Sequence, residues 1–426
     1  MTEAFNVADP VFISYRQIDG TQITTELAWL LRAAGIPVWR DKDDLPPGDT
    51  DERLAQAIDD GLSGGVLVIT PGVVDSRVVK MIEAPRLIDL HRTHPEFALG
   101  ITNAIETESG GLDYEASDRV LHAKPGTLQG VDQKAADRDG LRDLVKGLVW
   151  HRIAQHRALV AADDSTFSLS VQTRNVGQVY DRTGGQLDIR VRPSPHERLP
   201  DAEGLRDLAL TIGLLPDAVT RSGAQRVRIT GGAHLSVAFA IGAALPSSRV
   251  GRLDVVDQRN ATWASGDEAT IPEPALLQVK DEGAATPAIS GRPAVAVYLD
   301  LTGHPSDAAY ERFLDENGAA LTAWQQIVSA RPGLLDPGQA SALAGEAAAR
   351  IRALSTDNSN AHVHLLLRCP FPIAVQVGRL TNTLRVTAFE WDDSEPGSGD
   401  DYRPRFVPAM NLRASASSGV ITDVRL

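Results

Sequence analysis

The sequence predicts an α/β protein in two parts: an N-terminal parallel, doubly wound sheet, then a pseudo-symmetric pair of smaller α/β units. Three observations carry this. Short apolar runs alternate with helical spacing through the first hundred or so residues, the pattern of βαβ units. The rest of the chain runs twice through one strand–turn–helix pattern. At 426 residues the chain is also too long for one ordinary core.

The first strand is Val11-Phe12-Ile13, ending in Ser14, Tyr15 and Arg16, with Asp19 and Gly20 beyond. In an open parallel sheet, ligands gather outside the carboxyl ends of the strands. A hydroxyl, a ring and a guanidinium are therefore delivered to the place where a ligand would lie. Residues 21–34 follow with Ile23, Leu27, Leu30, Leu31 and Ala34 on one helical face, and Gly35 is the expected stop. Residues 36–39 form a second strand ending in Trp39. A charged loop with Asp43, Asp44 and Leu45, stiffened by Pro46 and Pro47, leads to a helix at 54–58. Residues 65–70 read as a fully apolar strand. Asp75 or Ser76 can cap a helix carrying Val78, Val79, Ile82 and Glu83, which Pro85 is expected to kink or end. Residues 97–101 give a fourth strand and 120–123 a further candidate. A helix at 141–160 leads to a linker at 161–165. His91, His94 and Glu96 lie close together, but their spacing matches no strong metal-ligand motif, and no metal is expected.

In the second part, residues 186–191 read as a strand ending in Arg192-Pro193-Ser194, followed by a helix at 203–214. A strand at 226–230, the pair Gly231-Gly232, an apolar helix at 233–245 and a strand at 252–256 complete one half. The other half repeats the order. A strand at 294–299 ends in Asp300-Leu301-Thr302-Gly303-His304. Helices at 310–314 and 341–354 follow, then a strand at 361–367, Pro370, a helix at 372–382 and a strand at 384–389. His234-Leu235, Ala238, Gly242 and Leu245 echo Ile373-Ala374, Gly378 and Leu380.

Net charge is −14 and the pI about 5.2. That opposes broad binding to DNA or long RNA, which needs many phosphate-neutralising cations. It leaves room for a small anion held by a few arginines. The one cysteine, Cys369, excludes an internal disulfide and fits a reducing compartment. Residues 1–9 are acidic without an apolar signal core, and the apolar stretch 233–245 is too short to span a bilayer. The expectation is a cytoplasmic protein without a membrane segment.

Residues 11–16 (Val-Phe-Ile-Ser-Tyr-Arg), 35–39 (Gly-Ile-Pro-Val-Trp), the acidic loop with Asp43, Asp44, Leu45, Pro47 and Gly48, and 67–71 (Leu-Val-Ile-Thr-Pro) resemble the TIR domain, in the family's order. One departure is that residues 76–83 lack the Trp-Cys pair many bacterial TIR domains carry before their helical glutamate. The resemblance implies a flavodoxin-like fold over 1–160 and cleavage of NAD at the nicotinamide–ribose bond. It makes Glu83 the catalytic residue and Ser14, Tyr15, Arg16, Trp39, Asp43, Asp44 and Leu45 the NAD-binding set. NAD is then substrate, not cofactor.

Residues 229–236 (Ile-Thr-Gly-Gly-Ala-His-Leu-Ser) and 364–379 (His-Leu-Leu-Leu-Arg-Cys-Pro-Phe-Pro-Ile-Ala-Val-Gln-Val-Gly-Arg) resemble the SAVED domain, a fused pair of CARF-like, Rossmann-like units that senses cyclic oligonucleotides. It would cover 161–426, with halves at about 166–290 and 291–426. Phosphates favour arginine and helix N-terminal amides, and bases favour aromatic rings. The candidate ligand contacts are Arg192, Ser194, Gly231, Gly232, Ala233, Thr302, Gly303, His304, Arg368, Pro370, Phe371 and Arg379.

The order TIR then SAVED resembles antiphage effectors of the CBASS type. It implies an NAD glycohydrolase switched on by a cyclic oligonucleotide, a cyclic trinucleotide in the first instance, through head-to-tail self-association that completes composite TIR sites. The alternative is a non-enzymatic TIR adaptor assembled by the same ligand. Ring size, bases and linkage, ring against filament, and ADP-ribose against its cyclic form stay open, as does degradation of the ligand by the sensor half.

Overall fold

The computed structural model describes residues 6–39, 57–58, 61–174, 185–285, 293–303, 306–331, 333–393, 404–416 and 419–426. Asp43, Asp44, Leu45 and His304 lie outside the described residues. The chain divides into two compact units. The first is Met1–Asp164 with Tyr180–Arg190 and Arg221–Gly223; the second is Ser165–Val179, Val191–Thr220 and Ala224–Leu426. No helix among the described residues is long and apolar enough to cross a membrane.

The first unit is built on strands β1 (Val11–Ser14), β2 (Val38–Trp39), β3 (Gly64–Ile69), β4 (Ala98–Asn103) and β5 (Asp132–Ala135). They form a sheet in the order β2-β1-β3-β4-β5, with every pairing parallel. Strands β1, β3 and β4 are buried throughout, as expected for strands covered on both faces. The Gln17–Ala33 helix stops at Gly35 as the sequence predicts, with Ile36 N donating to Leu31 O at 2.9 Å. The last helix, Arg138–Ala162, is capped by Asp137, whose carboxylate accepts from Gly140 N at 2.7 Å.

Two expectations need correction here. Residues 116–120 are a short helix, not a strand at 120–123. Val120 and Leu121 face the core from this helix and the turn after it. The fifth strand is instead Asp-Gln-Lys-Ala at 132–135, mostly half-buried at the sheet edge. An edge strand of polar residues carries no period-two apolar signal, so the sequence conceals it.

The second unit repeats one layout. Strands β6 (Thr166–Gln172), β8 (Arg226–Gly232) and β9 (Arg252–Val256) run parallel in the order β9-β8-β6, and β10 (Thr262–Ala264) joins antiparallel. Strands β12 (Ala294–Asp300), β14 (His362–Arg368) and β15 (Val386–Asp392) run parallel in the order β15-β14-β12. The second sheet is completed by β11 (Leu277–Ala284) and β13 (Ala323–Ser329) on one side, and by β16 (Arg405–Leu412) and β17 (Ile421–Val424) on the other.

The expected opener of the first half was the strand at 186–191. That strand, β7 (Leu187–Arg190), is grouped with the first unit. Its place is taken by β6, which pairs β8 as β12 pairs β14. Phe167, Leu169 and Val171 are its buried apolar residues, an alternation that begins immediately after the expected linker.

The repeat centres on two helices. Leu235–Ala244 follows β8 and Phe371–Leu380 follows β14. Their N-cap residues share a conformation: His234 has φ −56° and ψ 143°, and Pro370 φ −56° and ψ 141°. His234 therefore corresponds to Pro370, not to Ile373, while Gly242 matches Gly378 as the sequence suggests. The helices cross at these two glycines. A Cβ on Gly242 would lie 1.8 Å from Val375 O, and one on Gly378 would lie 2.1 Å from Phe239 O.

Candidate functional site

Strand β1 is flanked by β2 and β3, so the chain leaves it in one direction and returns on the other side. The crevice at its carboxyl end is the topological switch point where such sheets bind ligands. Ser14 is the last residue of β1 and is buried. Its hydroxyl donates to Glu83 Oε2 at 2.6 Å, and Glu83 is only 6% exposed.

Glu83 lies two residues before Pro85. Proline has no N–H to donate and its ring strikes the carbonyl four residues back. The sequence therefore predicts a kink or an end, and the helix does not end there but continues to Thr93. Val79–Glu83 widens into a π turn, and Ala84 N donates to Val79 O, one residue further back than in an α-helix. Single π turns within helices recur at functional sites. Here the extra residue ends at Glu83.

Arg16 sits at the mouth of the crevice, half-buried, with Nη1 3.5 Å from Asp19 Oδ1. Asp19 Oδ2 accepts from Gly72 N at 2.9 Å, joining the turn after β1 to the turn after β3. Tyr15 departs from the expected set. Residues alternate across a strand, so Ser14 facing Glu83 turns Tyr15 to the other side of the sheet. There it is buried against Gly20. Trp39 is also core, packed with Phe12, Leu67 and Ile69 instead of lining an open surface. Of the weak metal group, His91 Nδ1 is 2.9 Å from Phe97 O, and His94 pairs with Glu96 at 3.6 Å.

In the second unit, the carboxyl ends of β12, β14 and β15 bring several candidates together. Asp300 organises them. Its Oδ1 accepts from Thr302 N at 3.2 Å and from Thr302 Oγ1 at 2.8 Å. Its Oδ2 accepts from Tyr298 Oη at 3.0 Å and from Arg368 Nη1 at 3.3 Å. Gly303 is exposed just beyond, and Pro370 and Phe371 are half-buried at the start of their helix. Cys369 is buried, which pushes its thiol well above the usual range.

The first half differs from expectation. Gly231 and Gly232 are strand residues paired with Val171 and Gln172, not a turn. Gly231 has φ +102°, and a Cβ there would lie 2.2 Å from Val171 O. Ala233 is buried. The N-terminus of the following helix is already occupied by a carboxylate: Ser236 N donates to Glu390 Oε1 at 2.6 Å. Glu390 comes from β15 in the other half, and burial pushes its carboxyl up to about 7.

Because β6 opens this half, Thr173 stands where Leu301 stands in the other, each N–H donating to the last residue of the neighbouring strand, and the sequence reading missed it. Thr173 Oγ1 accepts from His234 N at 2.8 Å and lies 2.8 Å from His234 Nδ1. His234 Nε2 is 3.1 Å from Glu197 O. A carbonyl only accepts, so Nε2 carries the proton and Nδ1 accepts from the Thr173 hydroxyl. Burial lowers this imidazole to about 4, which keeps it neutral.

Three expected contacts lie in structural bonds. Arg192 pairs with buried Asp207 at 2.6 Å. Ser194 Oγ accepts from His196 N at 3.2 Å. Arg379 is at the opposite end of its helix from the helix N-terminus and is fully buried. It donates to the carbonyls of Leu245 at 2.9 Å and Val250 at 2.7 Å, with Asp267 at 3.2 Å. An arginine at the end of a helical repeat reads as a basic ligand contact until its depth is known.

The TIR domain family model matches residues 11–97. The SAVED model, described as the SMODS-associated and fused to various effectors sensor domain, matches residues 213–412. The chain thus carries a TIR domain followed by a SAVED domain. It is similar at 11% identity and TM-score 0.44 to the Acinetobacter baumannii Cap4 SAVED/CARF-domain containing receptor with the cyclic trinucleotide 3′3′3′-cAAA, covering 93% of this chain and 99% of that one. The same receptor with 2′3′3′-cAAA gives TM-score 0.45 at 11% identity, over 94% and 100%. The Moraxella osloensis Cap4 receptor gives 0.41 at 12% identity, over 93% and 98%. No curated protein matches the chain.

Proposed function

We propose that the TIR domain cleaves NAD at the nicotinamide–ribose bond and that a cyclic oligonucleotide bound by the SAVED domain switches this activity on. The observation that supports the reading best is the buried Glu83, held by Ser14 at the sheet's switch point. The chemistry suits one fixed carboxylate. As the C–N bond breaks, its electron pair passes to nicotinamide, which leaves neutral and needs no general acid. The ribose left behind is oxocarbenium-like, as in glycoside hydrolysis. A carboxylate beside it stabilises the developing positive charge and accepts from the ribose hydroxyls. Water then adds at the anomeric carbon and gives up its proton. An internal nucleophile would give the cyclised product by the same leaving step. Arg16 suits the pyrophosphate through its planar guanidinium fork.

Ligand binding acts by self-association: SAVED domains joined head to tail bring TIR domains together and complete the sites. Such an effector would deplete NAD in antiphage defence. The test is NAD consumption by purified protein with a panel of cyclic di-, tri- and tetranucleotides. Turnover that appears with one ring supports both halves of the proposal. Assembly with that ring and no NAD loss would instead make the protein an adaptor.

A further inference from the structure

One buried cation gathers the starts of three strands in the first unit. Arg152 lies on the Arg138–Ala162 helix and is buried. Its Nη2 and Nη1 donate to the carbonyls of Ala8 at 2.8 Å and Asp9 at 3.0 Å, just before β1. Its Nε donates to Gln186 O at 2.9 Å, just before β7. Asp9 O also accepts from Ser63 Oγ at 2.6 Å, and Ser63 stands immediately before β3. A buried charge carries a desolvation cost that an apolar side chain of similar size does not. What the guanidinium adds is geometry, because its planar fork holds the three carbonyls in one arrangement. Strand β7 is held a second time. Asp188 N donates to Gly35 O at 2.8 Å, and a Cβ on Gly35 would lie 2.6 Å from Leu187 Cβ. A small cavity lined by Val7, Val11, Ile36, Leu148 and Arg152 adjoins these strand starts and leaves them room to shift. Past Arg190 the chain enters the second unit, where Val191 alone precedes Arg192 and its ion pair with Asp207. Glu197 O then meets Nε2 of His234, the N-cap residue of the Leu235–Ala244 helix. Strand β7 is thus fixed within the TIR unit at its start, and its end runs directly into residues anchored in the sensor.

We propose that Arg152 is a positioning residue that couples the sensor to the active site: a change in the sensor moves β7, Arg152 passes the movement to the start of β1, and β1 carries it to Ser14 and Glu83. This rests on the ligand-switched reading above and adds a second requirement to it. Assembly completes the sites, and the link through β7 sets Glu83 within each. Strand β1 is four residues long and paired on both sides, so a displacement at Asp9 arrives at Ser14. Ser63 ties β3 to the same point, and the helix bearing Glu83 follows β3.

The experiment compares full-length wild type with Arg152→Met and with a protein carrying Gly-Ser inserted between Arg190 and Val191. Cyclic di-, tri- and tetraadenylate are the probes. Ring binding is measured by calorimetry, assembly by light scattering and NAD turnover as kcat and KM. Backbone hydrogen exchange at residues 8–14 is followed with and without ring. Both variants are expected to bind and assemble within about twofold of wild type, and to lose about tenfold in kcat with KM unchanged. The ring-induced change in exchange at 8–14 should vanish in both. Should Arg152→Met fail to fold, the insertion decides, because it lengthens the link and leaves Arg152 in place. Wild-type kcat and a wild-type exchange response in both variants overturn the coupling and leave the sensor and the enzyme. Binding, assembly and turnover that fall in step also overturn it, since a structural brace does the same. Wild type that binds a ring and consumes no NAD removes the enzyme reading, and the exchange response then decides the coupling alone. Binding of no ring by wild type removes the sensor reading, and the coupling with it.

Discussion

The Ser14 hydroxyl donates to Glu83 Oε2 at 2.6 Å, tying the end of the first strand to the helix that follows the third. A hydrogen bond to a charged group contributes about 1.5–3 kcal/mol. Here it fixes which way the carboxylate points. Glu83→Gln keeps shape and burial but removes the charge. Its expected effect on ligand-activated NAD consumption is a loss of about a hundredfold or more, with ligand-induced assembly unchanged by light scattering. Ser14→Ala should retain part of the turnover, falling by about tenfold. Full NAD consumption by Glu83→Gln would move the site elsewhere.

The π turn gives a prediction in which stability and activity part company. An interior helical proline costs about 3 kcal/mol relative to alanine. Pro85→Ala restores an N–H that can donate to Met81 O, so the helix is free to close as a regular α-helix. Closure removes the extra residue and rotates Val79–Glu83 relative to the rest of the helix. Melting temperature should hold or rise, while NAD turnover falls at least about tenfold. A variant with full activity and a retained π turn would show that the wide turn does not depend on Pro85.

The first four strands of the TIR domain, the Gly35 stop and the matched Gly242 and Gly378 are legible in the letters, because they rest on apolar period and local punctuation. What escapes the sequence depends on depth or partner. Tyr15 follows Ser14 by one residue, yet the pleat sends it to the opposite face. Arg379 looks like a ligand cation and is a buried cross-brace. Pro85 signals a kink or an end, and the chain answers with a wide turn. Glu390 lies on β15, and nothing in the strand's apolar pattern marks it as the cap of a helix in the other half. These roles arise from residues far apart in sequence, where spacing rules have no reach.

The crossing of the Leu235–Ala244 and Phe371–Leu380 helices predicts a sharp intolerance. With Cβ positions 1.8 and 2.1 Å from opposing carbonyls, neither glycine can gain a methyl group unless the helices separate. Overpacking of a tight core costs about 1–3 kcal/mol, more where backbone must move. Gly242→Ala and Gly378→Ala should each lower the SAVED domain's unfolding midpoint in urea and weaken ligand binding. The double variant should cost less than the sum, since one separation relieves both clashes. Additive losses would argue against a single shared crossing.

Glu390 predicts a pH dependence that belongs to the sensor alone. Its carboxylate accepts from Ser236 N at 2.6 Å, and burial raises it from 4.5 to about 7. Between those values the folded protein holds a proton that the unfolded chain has released. Stability from this group is therefore fully present below about pH 4.5 and is lost as pH rises through about 7. Glu390→Gln retains an acceptor for the Ser236 amide and has nothing to titrate. The variant should match wild type near pH 4.5 and exceed it by about 3 kcal/mol at pH 8. Other titrating groups largely cancel in this difference, so urea unfolding of both proteins across that range isolates Glu390. A gap that stays constant with pH would show that the carboxyl is ionised throughout. The helix N-terminus would then hold a permanent negative charge instead of one that comes and goes near neutrality.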